Sequence, residues 1–102
     1  MIQLSATLWI WSGESASWHF ITVPEAMASE IRAESFARRG GFGSVRVEAT
    51  IGDVTWHTSV FPQKNGGYIL PVKADVRRRA RIAAGDEVTL TLEVCFEAFN
   101  CR

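Results

Sequence analysis

The sequence predicts a mainly β fold, a six-stranded closed or split β-barrel with two short α-helices. Three observations support this prediction. Six short segments alternate apolar and polar residues, as strands with one buried face do. The two segments with helical apolar spacing are too short to cover a layered α/β sheet. Six strands with bulky alternating faces favour closure, because a barrel has no exposed edge.

Two strands and a helix are predicted first. Residues 4–11 and 17–23 each place alternate side chains on opposite faces, as strands do, and a Ser-Gly-Glu-Ser turn lies between them. Pro24 suits the first position of a helix, where its missing N–H needs no partner. The helix is therefore expected over residues 24–35, with a narrow apolar stripe.

Three strands follow as a β-meander. Residues 44–51 and 54–61 alternate around an Ile-Gly-Asp turn, and residues 68–72 follow a Gly-Gly pair. Pro62 is expected to end the middle strand, because proline cannot donate a hydrogen bond to a neighbouring strand.

The second helix is predicted over residues 73–83, ahead of the last strand. Gly85 is expected at the left-handed position that ends this helix. Asp86 is expected to accept backbone N–H bonds in the turn that follows. Residues 88–96 then give the longest clean alternation in the chain.

The composition indicates one folded domain, residues 1–102, with 47% apolar and 22% charged residues. Its net charge of +0 provides no global field for nucleic acid or a membrane. No apolar run approaches the roughly 20 residues that span a bilayer, and the N-terminus does not resemble a signal peptide. We therefore expect a cytoplasmic protein in which Cys95 and Cys101 are free thiols, with a disulfide between them as the alternative.

Catalytic, metal and cofactor sites are not expected. His57 and Ser59 share a strand face, but same-face neighbours lie roughly 6–7 Å apart, beyond hydrogen-bond reach. No Gly-x-Ser-x-Gly elbow is present. The histidines, cysteines and acids show no local zinc-ligand spacing. The sequence therefore favours a protein that is not an enzyme.

Four segments carry a family resemblance. They are WHTSVFP at residues 56–62, GGYILPVK at residues 66–73, the pair Val76-Arg77, and AGDEV at residues 84–88. With these segments the chain resembles the bacterial DUF1905 family over nearly its whole length. The resemblance implies a small six-stranded β-barrel, distantly similar to AbrB-like transition-regulator barrels. It implies no established activity.

The positions matching the family pattern supply the candidate ligand-binding residues. Lys73 and Arg77 lie one helical turn apart, directly after Pro71. The functional interpretation is a site for an anionic ligand or a partner; the alternative is salt bridging and helix capping. The complete predicted ligand-binding set is Trp56, Thr58, Ser59, Lys73 and Arg77.

Tryptophan placement raises a further question. Trp9 and Trp11 lie on the face opposite the apolar stripe of the first strand. Both faces of that strand therefore need cover. A helix packed outside the barrel is the expected cover, and a homodimer interface is the alternative.

Two functions from different classes follow. The leading hypothesis is a cytoplasmic, non-enzymatic β-barrel module that binds a small ligand or a protein partner. The alternative is an AbrB-like nucleic-acid-binding barrel that acts as a dimer. The arginine run at residues 77–81 would serve the second, but Asp75, Asp86 and Glu87 flank it. Nucleic acid is therefore an unlikely partner, and no membrane partner is expected.

We accordingly expect no tight binding of duplex DNA at physiological salt. The net charge is +0 and acids dilute the arginine run, so few phosphates would be neutralised. An electrophoretic mobility assay checks this. Retarded migration at nanomolar protein, with a steep dependence on salt, would contradict it.

Overall fold

A computed structural model of the chain describes residues 1–39, 43–64 and 66–95, and its strands close into an antiparallel barrel. The elements in chain order are β1 (Ile2–Ser12), β2 (Ser17–Val23), α1 (Glu25–Arg39), β3 (Val45–Ile51), β4 (Val54–Pro62), β5 (Tyr68–Pro71), α2 (Ala74–Ala80) and β6 (Glu87–Val94). Around the barrel the strand order is β1-β2-β5-β4-β3-β6. The predicted mainly β closed barrel with two helices is confirmed.

The core is the inner face of the barrel, closed by one face of each helix. Inward residues alternate with outward residues along β3 and β6, as period-two strands require. Ala28 and Ile31 of α1 and Val76 of α2 are fully buried. The largest fully buried side chains are Leu8, Ile21, Ile31, Leu70, Leu90, Leu92, Val47, Val60, Val72, Val76 and Val88.

Helix α1 is longer than predicted. The backbone N–H groups of Met27 and Ala28 donate to the carbonyl of Pro24, so the helix begins where the proline indicated. It continues to Arg39, whereas the sequence pattern had suggested an end near residue 35. Neither glycine nor proline interrupts residues 25–39, so the helix meets no breaker over that range.

Helix α2 ends earlier than predicted, and Gly85 is not its cap. Arg81 takes the left-handed conformation with φ 59°. Its N–H donates to the carbonyl of Arg78, and the N–H of Ile82 donates to the carbonyl of Arg77. These two bonds form a Schellman motif, with the partly buried Ile82 supplying the accompanying apolar contact.

Gly85 and Asp86 instead form a β-bulge against β1. The N–H of Gly85 donates to the carbonyl of Leu8, and the N–H of Leu8 donates to the carbonyl of Asp86. Gly85 and Asp86 on one strand thus oppose the single residue Leu8 on the other. Gly85 has a φ of 98°, the positive value that the first residue of such a bulge takes when it is glycine. The Asp86 carboxylate accepts the N–H of Ala83 at 2.8 Å, so its predicted role in the turn is confirmed.

Cys95, directly after β6, belongs to a disulfide, so the expected free thiol is wrong for this residue. Cys101 lies outside the described residues. Within the described ranges, neither helix has the length and apolar character needed to cross a bilayer.

Replacing Gly85 should destabilise the fold. Gly85→Ala should lower the free energy of unfolding by about 1 kcal/mol, because a Cβ is strained at positive φ. Gly85→Asn is the matched control, since asparagine tolerates positive φ better, and it should lose less. Thermal or urea unfolding measures both. Equal stability of the wild type and Gly85→Ala would show that the bulge does not need glycine.

Candidate binding site at an open seam of the barrel

The barrel wall is weakest between β4 and β5. Strands β3 and β4 pair through seven residue pairs, from Val45↔Val60 to Ile51↔Val54. Strands β4 and β5 pair only through Phe61↔Ile69 and Pro62↔Tyr68. The earlier part of β4 therefore has a strand partner on one side only. We call the stretch of β4 from Thr55 to Thr58, on the side away from β3, the seam.

Hydrogen bonds elsewhere fix which β4 residues direct their backbone groups into the seam. The N–H of Cys95 donates to the carbonyl of Arg46, so even-numbered residues of β3 point toward β6 and odd-numbered ones toward β4. Those odd-numbered residues pair with even-numbered residues of β4. The odd-numbered residues Thr55, His57 and Ser59 therefore direct their N–H and C=O groups away from β3.

Pro71 explains why the ladder between β4 and β5 stops. The N–H of Val72 donates to the carbonyl of His19 in β2, at 2.9 Å. Even-numbered residues at this end of β5 thus point to β2, and odd-numbered ones to β4. The register places Pro71 opposite Ser59. Proline has no N–H to donate there, and the chain then leaves the sheet to begin α2.

On the inner side of the seam lies a cleft of about 310 Å³. Strand β2, strand β4 and the junction of β5 with α2 form its walls. The residues that carry the argument below are His19, Trp56, Thr58, Lys73 and Arg77. The name "cleft" refers to this space from here on.

The cleft holds two cations without a neighbouring acid. Nη1 of Arg77 donates to the carbonyl of Val72 at 2.6 Å, which fixes the guanidinium at the cleft wall. Within the described ranges no carboxylate pairs with Arg77 or Lys73. In contrast, Arg78 and Arg79 both pair with Asp75, at 3.0 and 3.3 Å. The net charge of the cleft is therefore positive.

The positive charge of the cleft affects the pKa of the His19 imidazole. Partial burial lowers the pKa of His19 below its ordinary value, and the Arg77 guanidinium lowers the pKa further. The ring is therefore largely neutral at pH 7. An anion held in the cleft would act in the opposite direction and raise this pKa.

On the outer side of the seam lies a larger apolar groove of about 740 Å³. The outer face of the β1–β2 hairpin forms one wall, β5 forms the floor, and β3 with β4 forms the other wall. Its aromatic residues are Trp9, Trp11, Trp18, Phe20 and Phe61, and its polar residues include Arg46, His57 and Ser59. We call this space the groove.

The aromatic wall of the groove is partly ordered and partly exposed. Trp9 lies 5.2 Å from Phe20 between ring centroids, and its indole N–H donates to Oγ1 of Thr22 at 2.8 Å. Trp18 stacks on the other side of Phe20 at 6.5 Å. Trp18 and Trp11 are nevertheless 54% and 51% exposed. The expected cover by an outer helix is therefore wrong for Trp11, whose side chain is half exposed.

The predicted ligand-binding residues divide between the two spaces. Trp56, Thr58, Lys73 and Arg77 line the cleft together, Thr58 also borders the groove, and Ser59 lines the groove alone. The alternation of β4 places Trp56 and Ser59 on opposite faces, because side chains an odd number of residues apart point to opposite sides of a sheet. Sequence reasoning missed His19, whose signal was its position on the inward face of β2.

The outer face of β4 carries one further polar pair. Nε2 of His57 lies 3.2 Å from Oε2 of Glu48 on β3, an ordinary cross-strand contact. Within the described part of the chain, no three His, Cys, Asp or Glu side chains cluster so as to hold a metal ion.

The family model described as domain of unknown function (DUF1905) matches residues 5–92, so the matched region includes the cleft and the seam. No curated protein matches the chain.

Proposed function

Because the chain belongs to the DUF1905 family, whose description assigns no activity, we propose a function from the cleft: the domain is a non-enzymatic module that binds a small anionic ligand. The observation that carries the proposal is the pair of cations, Lys73 and Arg77. They line one cleft and have no carboxylate partner among the described residues. Unpaired cations in a concave site favour an anion.

The residues of the cleft have separate roles in this proposal. Arg77 is held by the carbonyl of Val72, so its remaining N–H groups are positioned to bind a carboxylate or phosphate in a fixed orientation. Lys73 is exposed and adds a flexible charge at the cleft mouth. Trp56, 7% exposed, provides an apolar wall, and the Thr58 hydroxyl provides one polar contact.

The size of the cleft limits the ligand. A volume of about 310 Å³ lies at the lower end of the range for small-molecule sites. It suits a carboxylate or phosphate group with a short organic body.

The ion pairs of Asp75 with Arg78 and Arg79 reduce the positive charge available to a nucleic-acid backbone. The AbrB-like nucleic-acid-binding dimer therefore stays a prediction. The cytoplasmic location stays a prediction as well.

Anion binding should raise the pKa of His19. The pKa is lowered in the free protein by burial and by Arg77, and a bound anion offsets the positive charge. By linkage, the anion should bind more tightly as the pH falls through the pKa of His19, because protonation adds a third positive charge. An NMR pH titration of the two histidines, with and without inorganic phosphate, measures this.

The matched control for this titration is Arg77→Gln, because it removes the charge that the anion would offset. Arg77→Gln should raise the pKa of His19 in the free protein and remove most of the phosphate effect. No shift at His19 in the wild type, or an equal shift in Arg77→Gln, would contradict the proposed site.

A further inference from the structure

We propose that the ligand of the cleft also carries a flat aromatic base, as a nucleoside monophosphate does. Its phosphate binds in the cleft, and its base stacks on Trp18 in the groove. The inference deepens the proposed function and rests on it, because the phosphate is the anion proposed for the cleft. It goes further by assigning the cleft and the groove to one ligand of stated chemistry.

The cleft and the groove adjoin each other. Trp18 and Pro71 line both spaces on the side of β2 and β5, and His57 and Thr58 line both on the side of β4. The cleft that contains Arg77 therefore has the Trp18 ring at its edge. A ligand whose anion lies in the cleft can place a second group, joined through a short spacer, in the groove.

The aromatic rings of the groove are ordered before a ligand binds. Phe20 contacts both Trp9 and Trp18, at centroid distances of 5.2 and 6.5 Å, and the rings of Phe20 and Trp18 are within 13° of parallel. The indole N–H of Trp9 is fixed in turn by Thr22. Trp18 is nevertheless 54% exposed. A ring that is both held and accessible stacks on a flat base at little conformational cost.

The charges of the two spaces favour an anion. Lys73 and Arg77 line the cleft, and Arg46 lines the groove. None of these three side chains pairs with a carboxylate among the described residues. A quaternary ammonium ligand, which aromatic rings also attract, would be repelled by these cations. The two spaces together therefore match a molecule that combines an anion with a flat ring.

Polar side chains beside the rings favour a base over a hydrocarbon. Ser59 and Gln63 line the groove together with Phe61. The side-chain amide N–H of Gln63 donates to the carbonyls of Phe61 and Pro62, at 3.4 and 3.2 Å, which leaves its amide oxygen as an acceptor. The edge of a nucleobase has donors and acceptors for such groups, whereas a fatty acid would cover them without partners.

The first experiment compares whole nucleotides with their fragments. AMP and UMP contain both groups, ribose 5-phosphate lacks the base, and adenosine and uridine lack the phosphate. NMR titrations of the protein measure Kd for each probe. We expect AMP or UMP to bind about tenfold or more tightly than ribose 5-phosphate and than its own nucleoside, as one stacked base would provide. If neither nucleotide binds more tightly than ribose 5-phosphate, the proposal is overturned.

Variants of Trp18 locate the base. Trp18→Leu should reduce the roughly tenfold ratio of the two Kd values, ribose 5-phosphate to nucleotide, to about one, because no ring remains for stacking. Trp18→Phe is the matched variant and should retain most of the ratio. Trp18→Thr, whose branched side chain suits a strand, replaces Trp18→Leu if circular dichroism shows that the latter does not fold. An unchanged ratio in a folded variant without the ring would contradict stacking on Trp18.

The same probes separate this inference from the proposed function. If inorganic phosphate and ribose 5-phosphate raise the pKa of His19 but a base adds no affinity, the anion site stands and this inference alone fails. If neither probe raises the pKa of His19, the anion site fails and the inference fails with it. Arg77→Gln should weaken binding of AMP and of ribose 5-phosphate by similar factors.

Three further outcomes would overturn the single-ligand proposal. Adenosine that binds as tightly as AMP would mean that the groove binds a base without the cleft. Tighter binding of a single-stranded oligonucleotide of about six residues, without a terminal phosphate, would mean that the groove binds a strand. A dimer in solution that Trp18→Leu dissolves would mean that a second copy of the chain covers the groove.

Discussion

The missing N–H of Pro71 is the constraint from which the candidate site follows. A continuous ladder between β4 and β5 would need a donor opposite Ser59, and proline provides none. The chain instead turns into α2, whose Val76 is fully buried in the core. The β4–β5 contact thus covers the end of β4 from Ser59 to Pro62, and β4 has no second strand partner along Thr55 to Thr58. The same turn places Lys73 and Arg77 beside the opening.

One strand edge therefore separates two chemical environments. Inward residues of β4 face a cleft in which Arg77 is held by the carbonyl of Val72. Outward residues face a groove lined by the rings of Trp18 and Phe20. His57 and Thr58 line both spaces, so the cleft and the groove meet along this part of β4.

Local alternation was enough to predict the strands, and its limits explain the errors. The predicted strand is confirmed over residues 88–94, where buried residues recur with period two, and residue 96 lies outside the described residues. The end of α2 was misplaced because glycine is the usual left-handed residue, whereas here Arg81 takes that conformation and Gly85 forms a bulge with Leu8. The bulge depends on a contact with β1, which no local pattern contains.

The candidate site was predicted in part for the same reason. The family resemblance groups Thr58, Ser59, Lys73 and Arg77, and Trp56, Thr58, Lys73 and Arg77 do share a cleft. Ser59 lines the groove instead, because it lies on the opposite face of β4 from Trp56. The strand order β2-β5-β4 could not be derived from the sequence, because pairing between distant segments leaves no local pattern. Without that order, the effect of Pro71 on the sheet was not visible.

Native-state amide hydrogen exchange along β4, measured by NMR, tests the open seam most directly. The N–H groups of Trp56 and Thr58 bond to β3, whereas that of Thr55 points into the seam. We expect slow exchange at Trp56 and Thr58 and much faster exchange, by about a hundredfold or more, at Thr55. Comparable protection at all three amides would mean that this part of β4 is paired on both sides, and it would contradict the open seam.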